Sequence, residues 1–117
     1  MSKRKKKKSK RHVIPSGYDR HHLLFYKREW STGHKLQLRR CFVYELPMAI
    51  HQELHANIPE PPRMTEYDAK VLFQKVPSDR MSLGEALKWL YANAPNIQFA
   101  ESILWQYKFL LEKLGGF

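Results

Sequence analysis

Four of the six histidines of this chain fall into two groups that together could bind a metal ion. His21 and His22 are adjacent, and His51 and His55 are four positions apart. Residues four apart on a helix lie on one face, so these two imidazoles can converge on one divalent cation. The two groups lie about 30 residues apart, a separation that one hairpin can close.

Three histidines on one metal ion leave a coordination position open for water or a phosphate oxygen. A fourth imidazole nearby could take a proton from water near neutral pH, and these roles together suit phosphodiester hydrolysis. Adjacent strand residues point to opposite sides, so the doublet can serve such a site only where the strand is irregular or ends. The alternative is a cluster of buried or surface imidazoles whose nitrogens bond backbone carbonyls.

The segments that must position these histidines follow the order strand, long loop, strand, helix. The short apolar run at 21–26 predicts the first strand, and the run at 41–45 predicts the second. Pro47 ends the second strand and is well placed in the first turn of a helix. This helix is predicted to end near Asn57, in a left-handed conformation.

The remainder of the chain predicts three helices. Thr65 can cap a helix through Lys75, and the capping box of Ser82 and Glu85 opens a second helix. Apolar residues at helical spacing predict a third helix, and we interpret this stripe as packing. Its members are Phe99, Ile103, Tyr107, Leu110, Leu111 and Leu114.

Positive charge is concentrated towards the N-terminal end of the sequence. The net charge is +10, of which residues 1–12 carry +8, residues 13–41 carry +4 and residues 42–117 carry −2. The first segment, which includes Lys5, Lys6, Lys7 and Lys8, has no apolar core residues and is predicted to be a disordered arm. Such an arm can bind phosphates through counterion release, and the alternative is a solubilising tail.

The composition restricts the class of protein. A chain of 117 residues with 43% hydrophobic content suits one domain with a modest core. No apolar run approaches the roughly 20 residues that span a membrane, and no secretory signal is expected because the basic start lacks an apolar region after it. The single cysteine, Cys41, excludes an internal disulfide and a Cys-x-x-Cys zinc ribbon, and it favours a cytoplasmic location.

One pattern of residues extends across positions 19–62, a little over a third of the chain. It consists of His21-His22, Trp30, Leu38-Arg39, Leu46-Pro47, His51, His55 and Ile58-Pro59-x-Pro61. This pattern resembles the HNH (ββα-metal) endonucleases, and the doublet is similar to the motif of the colicin-type DNase branch. It also resembles small HNH-like proteins carried by phages and bacterial mobile elements.

Together with the charge and helix patterns above, the resemblance predicts an α+β fold with three parts. Residues 1–12 would be the disordered basic arm, and residues 13–62 would form a two-stranded hairpin with a helix packed on it, as in the ββα-metal fold. Residues 63–117 would supply three supporting helices, because a hairpin is too marginal to stand alone.

The resemblance also implies roles for individual side chains. It implies one divalent metal ion, zinc or magnesium, and nucleic acid as the partner, DNA more than RNA. The metal ligands would be His21, His51 and His55, the general base His22, and the phosphate-binding residues Arg20, Arg39 and Arg40. The family's middle Asn has no counterpart here, since its place falls near Cys41, and the loop between the strands is longer.

Three functions are compatible with these features. The leading hypothesis is an HNH-like nuclease or nicking domain that acts on DNA. The first alternative is a catalytically inactive nucleic-acid-binding module derived from that fold. The second alternative is an interaction protein whose basic arm engages an acidic or RNA-rich partner. Glu45 and Glu53 are candidate carboxylate partners of the histidines.

Overall fold

A computed structural model describes residues 16–25, 42–77 and 81–117 of the chain. The helices and strands in these residues are β1 (Tyr18–His22), β2 (Val43–Pro47), α1 (Met48–Asn57), α2 (Glu66–Lys75), α3 (Leu83–Ala92) and α4 (Ile97–Leu114). The predicted α+β class is confirmed, as is the order of a hairpin, a helix and three further helices.

Several sequence predictions fall on residues outside these ranges. They concern the basic arm with Lys5, Lys6, Lys7 and Lys8, the loop between the strands, and Arg39, Arg40 and Cys41. Of the predicted phosphate-binding residues, Arg20 is the one that the structure describes.

The two strands are antiparallel, but both are shifted from their predicted positions. Tyr18 lies opposite Pro47 and His22 lies opposite Val43. The prediction of a strand over 21–26 was therefore wrong for residues 23–25, where the chain turns and the N–H of Phe25 donates to the carbonyl of His22 at 3.0 Å, and Tyr26 lies outside the described residues. The apolar residues at 23–25 reflect burial of this turn rather than continuation of a strand.

Helix α1 follows β2 without a connecting loop. Pro47 has φ −55° and ψ 137°, so it is the residue before the helix rather than a member of its first turn. The N–H of Met48 donates to the carbonyl of Gly17 at 2.9 Å, and Gly17 has the positive φ, 84°, that glycine adopts most easily. The helix ends at Asn57, as predicted, and Ile58 after it is extended. Asn57 does not have a positive φ, so the predicted left-handed conformation was wrong.

Two of the three supporting helices begin at the predicted caps. Thr65 caps α2, and Ser82 and Glu85 form the complete capping box of α3, with bonds of 3.2 and 2.9 Å. Helix α4 packs against α3 and contacts α1, and α1 also contacts both strands. None of the described helices combines the length and the apolar character required to cross a membrane.

One hydrophobic core joins the hairpin, α1 and the supporting helices. The turn after β1 contributes Leu23 and Leu24, α1 contributes Leu54, and α3 and α4 contribute most of the remainder. The buried residues of α4 are Phe99, Ser102, Ile103, Gln106 and Leu110. Two of these are polar, so α4 brings hydrogen-bonding groups into the interior beside β1.

Candidate metal centre

His21 of β1 meets His51 and His55 of α1 beside the hairpin, and we call these three residues the three-histidine cluster. One ring nitrogen from each residue lies within 4.8 Å of the other two. The ring centroids are 5.1 Å apart for His21 and His51, 5.4 Å for His21 and His55, and 4.6 Å for His51 and His55. The prediction that two distant segments bring these imidazoles together is confirmed.

The backbone geometry of two elements explains this convergence. Alternation along β1 places Asp19 and His21 on the same face of the hairpin. Helix α1 contacts that hairpin, and its 3.6-residue period places His51 and His55 one turn apart on one side. The absence of a loop between β2 and α1 holds this helix against the strand that carries His21.

The two helix histidines are already at a spacing that suits a shared ion. Their Nε2 atoms form a hydrogen bond of 3.0 Å, and this distance is close to the value of about 3.3 Å for two imidazole nitrogens on one tetrahedral zinc ion. Nδ1 of His51 lies 3.0 Å from Oδ2 of Asp19. A carboxylate accepts from Nδ1–H in this position, which orients the ring and leaves Nε2 to face His55.

His21 lies at the buried side of the cluster, with 0% of its surface exposed. Its Nε2–H donates to Oε1 of Gln106 over 2.6 Å. Its Nδ1 is buried and has no hydrogen-bond partner among the described residues. A buried polar atom without a partner costs about 1–3 kcal/mol, so a ligand that occupies Nδ1 would be stabilising. This donor set fits a divalent metal ion held by three imidazoles.

Burial favours the neutral forms of His21 and His55, which are the forms that bind metals. Burial lowers the pKa of His21 from 6.5 to about 3, while the hydrogen bond to Gln106 opposes this shift and the nearby His51 and His55 add to it. Burial and the neighbouring His51 also lower the pKa of His55, against an opposing effect of Glu60.

Phe25 forms an apolar wall of the cluster. Its ring centroid lies 4.5 Å from that of His55 and 5.6 Å from that of His21. Phe25 has φ 71°, a left-handed conformation that is strained for a bulky residue. The turn after β1 therefore holds this side chain against the histidines at a conformational cost.

The predicted general base lies next to the cluster in sequence but on the other face of the strand. His22 is the last residue of β1, is partly buried, and follows the buried His21. Alternation places it on the face that also carries Arg20, which lies opposite Glu45 in the ladder. The roles of His22 as a base and Arg20 as a phosphate ligand stay predictions.

The carboxylate that contacts His51 is not Glu53, one of the two that the sequence suggested. Glu53 forms an ion pair with Lys113 of α4 at 3.1 Å. Asp19 is the carboxylate that contacts His51. Asp19 could have been identified from its position, because it precedes His21 by two residues and so shares its strand face.

Gln106 is the second residue that sequence reasoning missed. The predicted stripe of α4 included Tyr107 and Leu111, but Tyr107 is only partly buried and Leu111 is exposed. The buried positions at three- and four-residue spacing are Phe99, Ile103, Gln106 and Leu110. A glutamine within such an apolar series was the available signal, since a buried amide requires hydrogen-bond partners.

No protein-family model, curated protein or solved structure matches the chain. The resemblance to the HNH endonucleases therefore stays a prediction that depends on the residues quoted for it.

Proposed function

We propose that the chain is an HNH-like, metal-dependent nuclease or nicking domain that acts on DNA phosphodiesters. The observation that carries this proposal is the three-histidine cluster, in which one ligand comes from the first strand and two come from the helix after the second strand. A hairpin followed directly by a ligand-bearing helix is the order that the ββα-metal resemblance implies. The unpartnered Nδ1 of His21 supports a site built for an ion.

Each of the side chains at the proposed site would have a separate role in hydrolysis. His21, His51 and His55 would hold the ion in their neutral forms, and Asp19 would keep the His51 ring oriented. A bound divalent ion would stabilise the negative charge of the scissile phosphate and of the leaving oxygen. His22 is the last residue of β1, and only because the strand ends there would its side chain reach the attacking water and take a proton from it. Arg20, on the same strand face as His22, would contact a phosphate oxygen of DNA that extends around this edge of the hairpin.

Plasmid nicking tests this proposal directly. We expect the purified protein to convert supercoiled DNA to the open circle with Mg²⁺, Zn²⁺ or Ni²⁺. His22→Ala should bind the metal normally and lose about 10²–10⁴-fold of the rate, the usual contribution of a general base. His51→Ala should lose both metal binding and nicking. Glu53→Gln is the matched control on α1, because this carboxylate pairs with Lys113 rather than with a histidine.

The result that contradicts the proposal is equally definite. If protein that binds one equivalent of metal leaves DNA and RNA intact with every ion tested, the enzyme hypothesis is wrong. Retained nicking in His22→Ala would leave the nuclease in place but would exclude His22 as its base.

The charge distribution favours a second candidate, a non-catalytic module that binds nucleic acid. Residues 1–12 carry a charge of +8 without any acidic residue, which is enough for sequence-independent binding to phosphates. In this case the cluster would serve a structural ion, and the scaffold would resemble a nuclease without cleaving DNA.

Salt dependence separates this candidate from a protein-interaction role. A module that contacts 6–10 phosphates loses roughly 10³–10⁵-fold in affinity between 50 and 200 mM salt. We expect a mobility shift with that dependence, and a smaller slope when residues 1–11 are deleted. Affinity that does not change with salt would contradict binding to a polyanion and would favour a protein partner.

A further inference from the structure

We propose that Gln106 of α4 is a positioning residue of the metal centre, because it fixes the His21 imidazole in the tautomer whose Nδ1 carries a free lone pair. This inference rests on the proposed metal-binding function and adds a residue from outside the HNH-like segment. Gln106 and His21 are 85 positions apart in sequence, and both are fully buried.

The orientation of the Gln106 amide follows from its second contact. Its Nε2 lies 3.3 Å from the carbonyl oxygen of Leu23, which can only accept a hydrogen bond. The amide NH₂ must therefore face Leu23, and Oε1 must face His21. A rotated amide would place two acceptor oxygens against each other inside the core.

The orientation of the amide determines the tautomer of His21. Oε1 of Gln106 is an acceptor, so Nε2 of His21, 2.6 Å away, must carry the hydrogen. In a neutral imidazole the other nitrogen then has no hydrogen and presents a lone pair. That nitrogen, Nδ1, is the buried atom without a hydrogen-bond partner in the described part of the chain.

The surroundings of Gln106 hold its side chain in a fixed position relative to His21. Phe99, Ile103 and Leu110 of the same helix are fully buried in the core, so α4 cannot shift without disturbing it. The turn that presents the Leu23 carbonyl is held by a bond from the N–H of Leu23 to the carbonyl of Phe42, 3.0 Å long. Gln106 thus joins a fixed helix, a fixed turn and the strand-side ligand.

The first test uses the unaltered, metal-free protein. Long-range ¹H–¹⁵N correlation spectra of the labelled chain at neutral pH identify which nitrogen of His21 carries the hydrogen. We expect hydrogen on Nε2 and none on Nδ1. Hydrogen on Nδ1 would overturn the inference, and this readout is independent of metal binding or catalysis.

The second test compares two variants of α4. Gln106→Met keeps the length of the side chain and removes the acceptor, so we expect mixed His21 tautomers and a 10- to 100-fold weaker Zn²⁺ affinity in a chelator competition assay. Ser102→Ala is the matched control, because Ser102 is also buried on α4 but donates to the carbonyl of Pro59 at 2.7 Å. It should leave both readouts unchanged.

The outcomes separate this inference from the proposed function. Equal Zn²⁺ affinity in Gln106→Met and the wild type, or equal losses in Gln106→Met and Ser102→Ala, would contradict a positioning role. Failure of the wild type to bind Zn²⁺, Mg²⁺ or Ni²⁺ would instead contradict the metal centre itself. If Gln106→Met does not fold, hydrogen on Nδ1 of His21 in the wild type would still overturn the inference.

Discussion

The strand side and the helix side of the three-histidine cluster are built differently. His21 is fully buried, is bonded to a core side chain, and has a pKa lowered to about 3. The His51 side chain is 19% exposed and pairs with a surface carboxylate, and His55 is more exposed still. One candidate ligand is therefore part of the core, whereas the other two lie on the surface of a helix. Metal affinity and fold stability should therefore be coupled at His21 and separable at His55.

The largest expected difference is between His21→Ala and His55→Ala. Both variants should lose about 100-fold or more in metal affinity, because each removes one of three ligands. Only His21→Ala should also reduce the free energy of unfolding of the metal-free protein, by about 3–4 kcal/mol, since it leaves a cavity and an unpaired Gln106 amide. Urea denaturation in the presence of a chelator measures this difference. Equal losses of the free energy of unfolding in the two variants would show that His21 and His55 do not differ in their role in the fold.

Acid should destabilise the metal-free protein through the strand side. The pKa of His21 is about 3 in the folded chain and 6.5 in the unfolded chain, so between these values the unfolded state binds the extra proton. The contribution of a neutral His21 to the free energy of unfolding is therefore fully present above pH 6.5 and is lost as the pH is lowered towards 3. At pH 5 the loss from this residue should be about 2 kcal/mol. The pH dependence of the urea midpoints across this range should largely disappear in His21→Leu and decrease only in part in His55→Leu, because the pKa of His55 is lowered as well.

Removal of the Asp19 carboxylate tests the contribution of His51, the ligand on the helix side that it contacts. Asp19→Asn should weaken Zn²⁺ binding about tenfold, because the neutral amide orients and polarises the His51 ring less well. Its effect on the free energy of unfolding should be small, since Asp19 is partly exposed. Glu53→Gln is the control on the same helix and should bind Zn²⁺ as the wild type does. A similar loss in both variants would indicate a general charge effect.

The smallest expected effect comes from a change far from both sides. Ser82→Ala removes half of the capping box of α3 and should cost about 1 kcal/mol of stability. Metal affinity should not change, because α3 contributes no residue to the cluster. If Zn²⁺ binding weakens in this variant, then affinity follows overall stability and the contrast between His21 and His55 loses its meaning.

Local sequence signals predicted much of the fold. The caps at Thr65, Ser82 and Glu85 are found where expected, because each depends on residues three positions apart. The spacing of His51 and His55 placed two ligands on one helix face for the same reason. These features could be predicted because each depends on residues that are close together in the sequence.

Features that depend on contacts between distant parts of the chain could not be predicted from local sequence. The apolar run after His22 was interpreted as a strand, although the ladder ends there and Leu23 and Leu24 are buried in a turn. The amide of Gln106 reaches His21 only because α4 packs beside β1, and sequence spacing carries no information about that contact. The two residues that orient the ligands, Asp19 and Gln106, were missed although their types and positions offered signals.

The separation of 85 positions between His21 and Gln106 has a consequence for biosynthesis. The ribosome delivers all three ligand histidines well before it delivers α4, and contacts so distant in the chain form late. During synthesis the three histidines are therefore accessible before Gln106 is in place, and both tautomers of the His21 ring are still populated. The tautomer that the proposed metal centre requires would therefore be fixed only after α4 has packed in the complete chain.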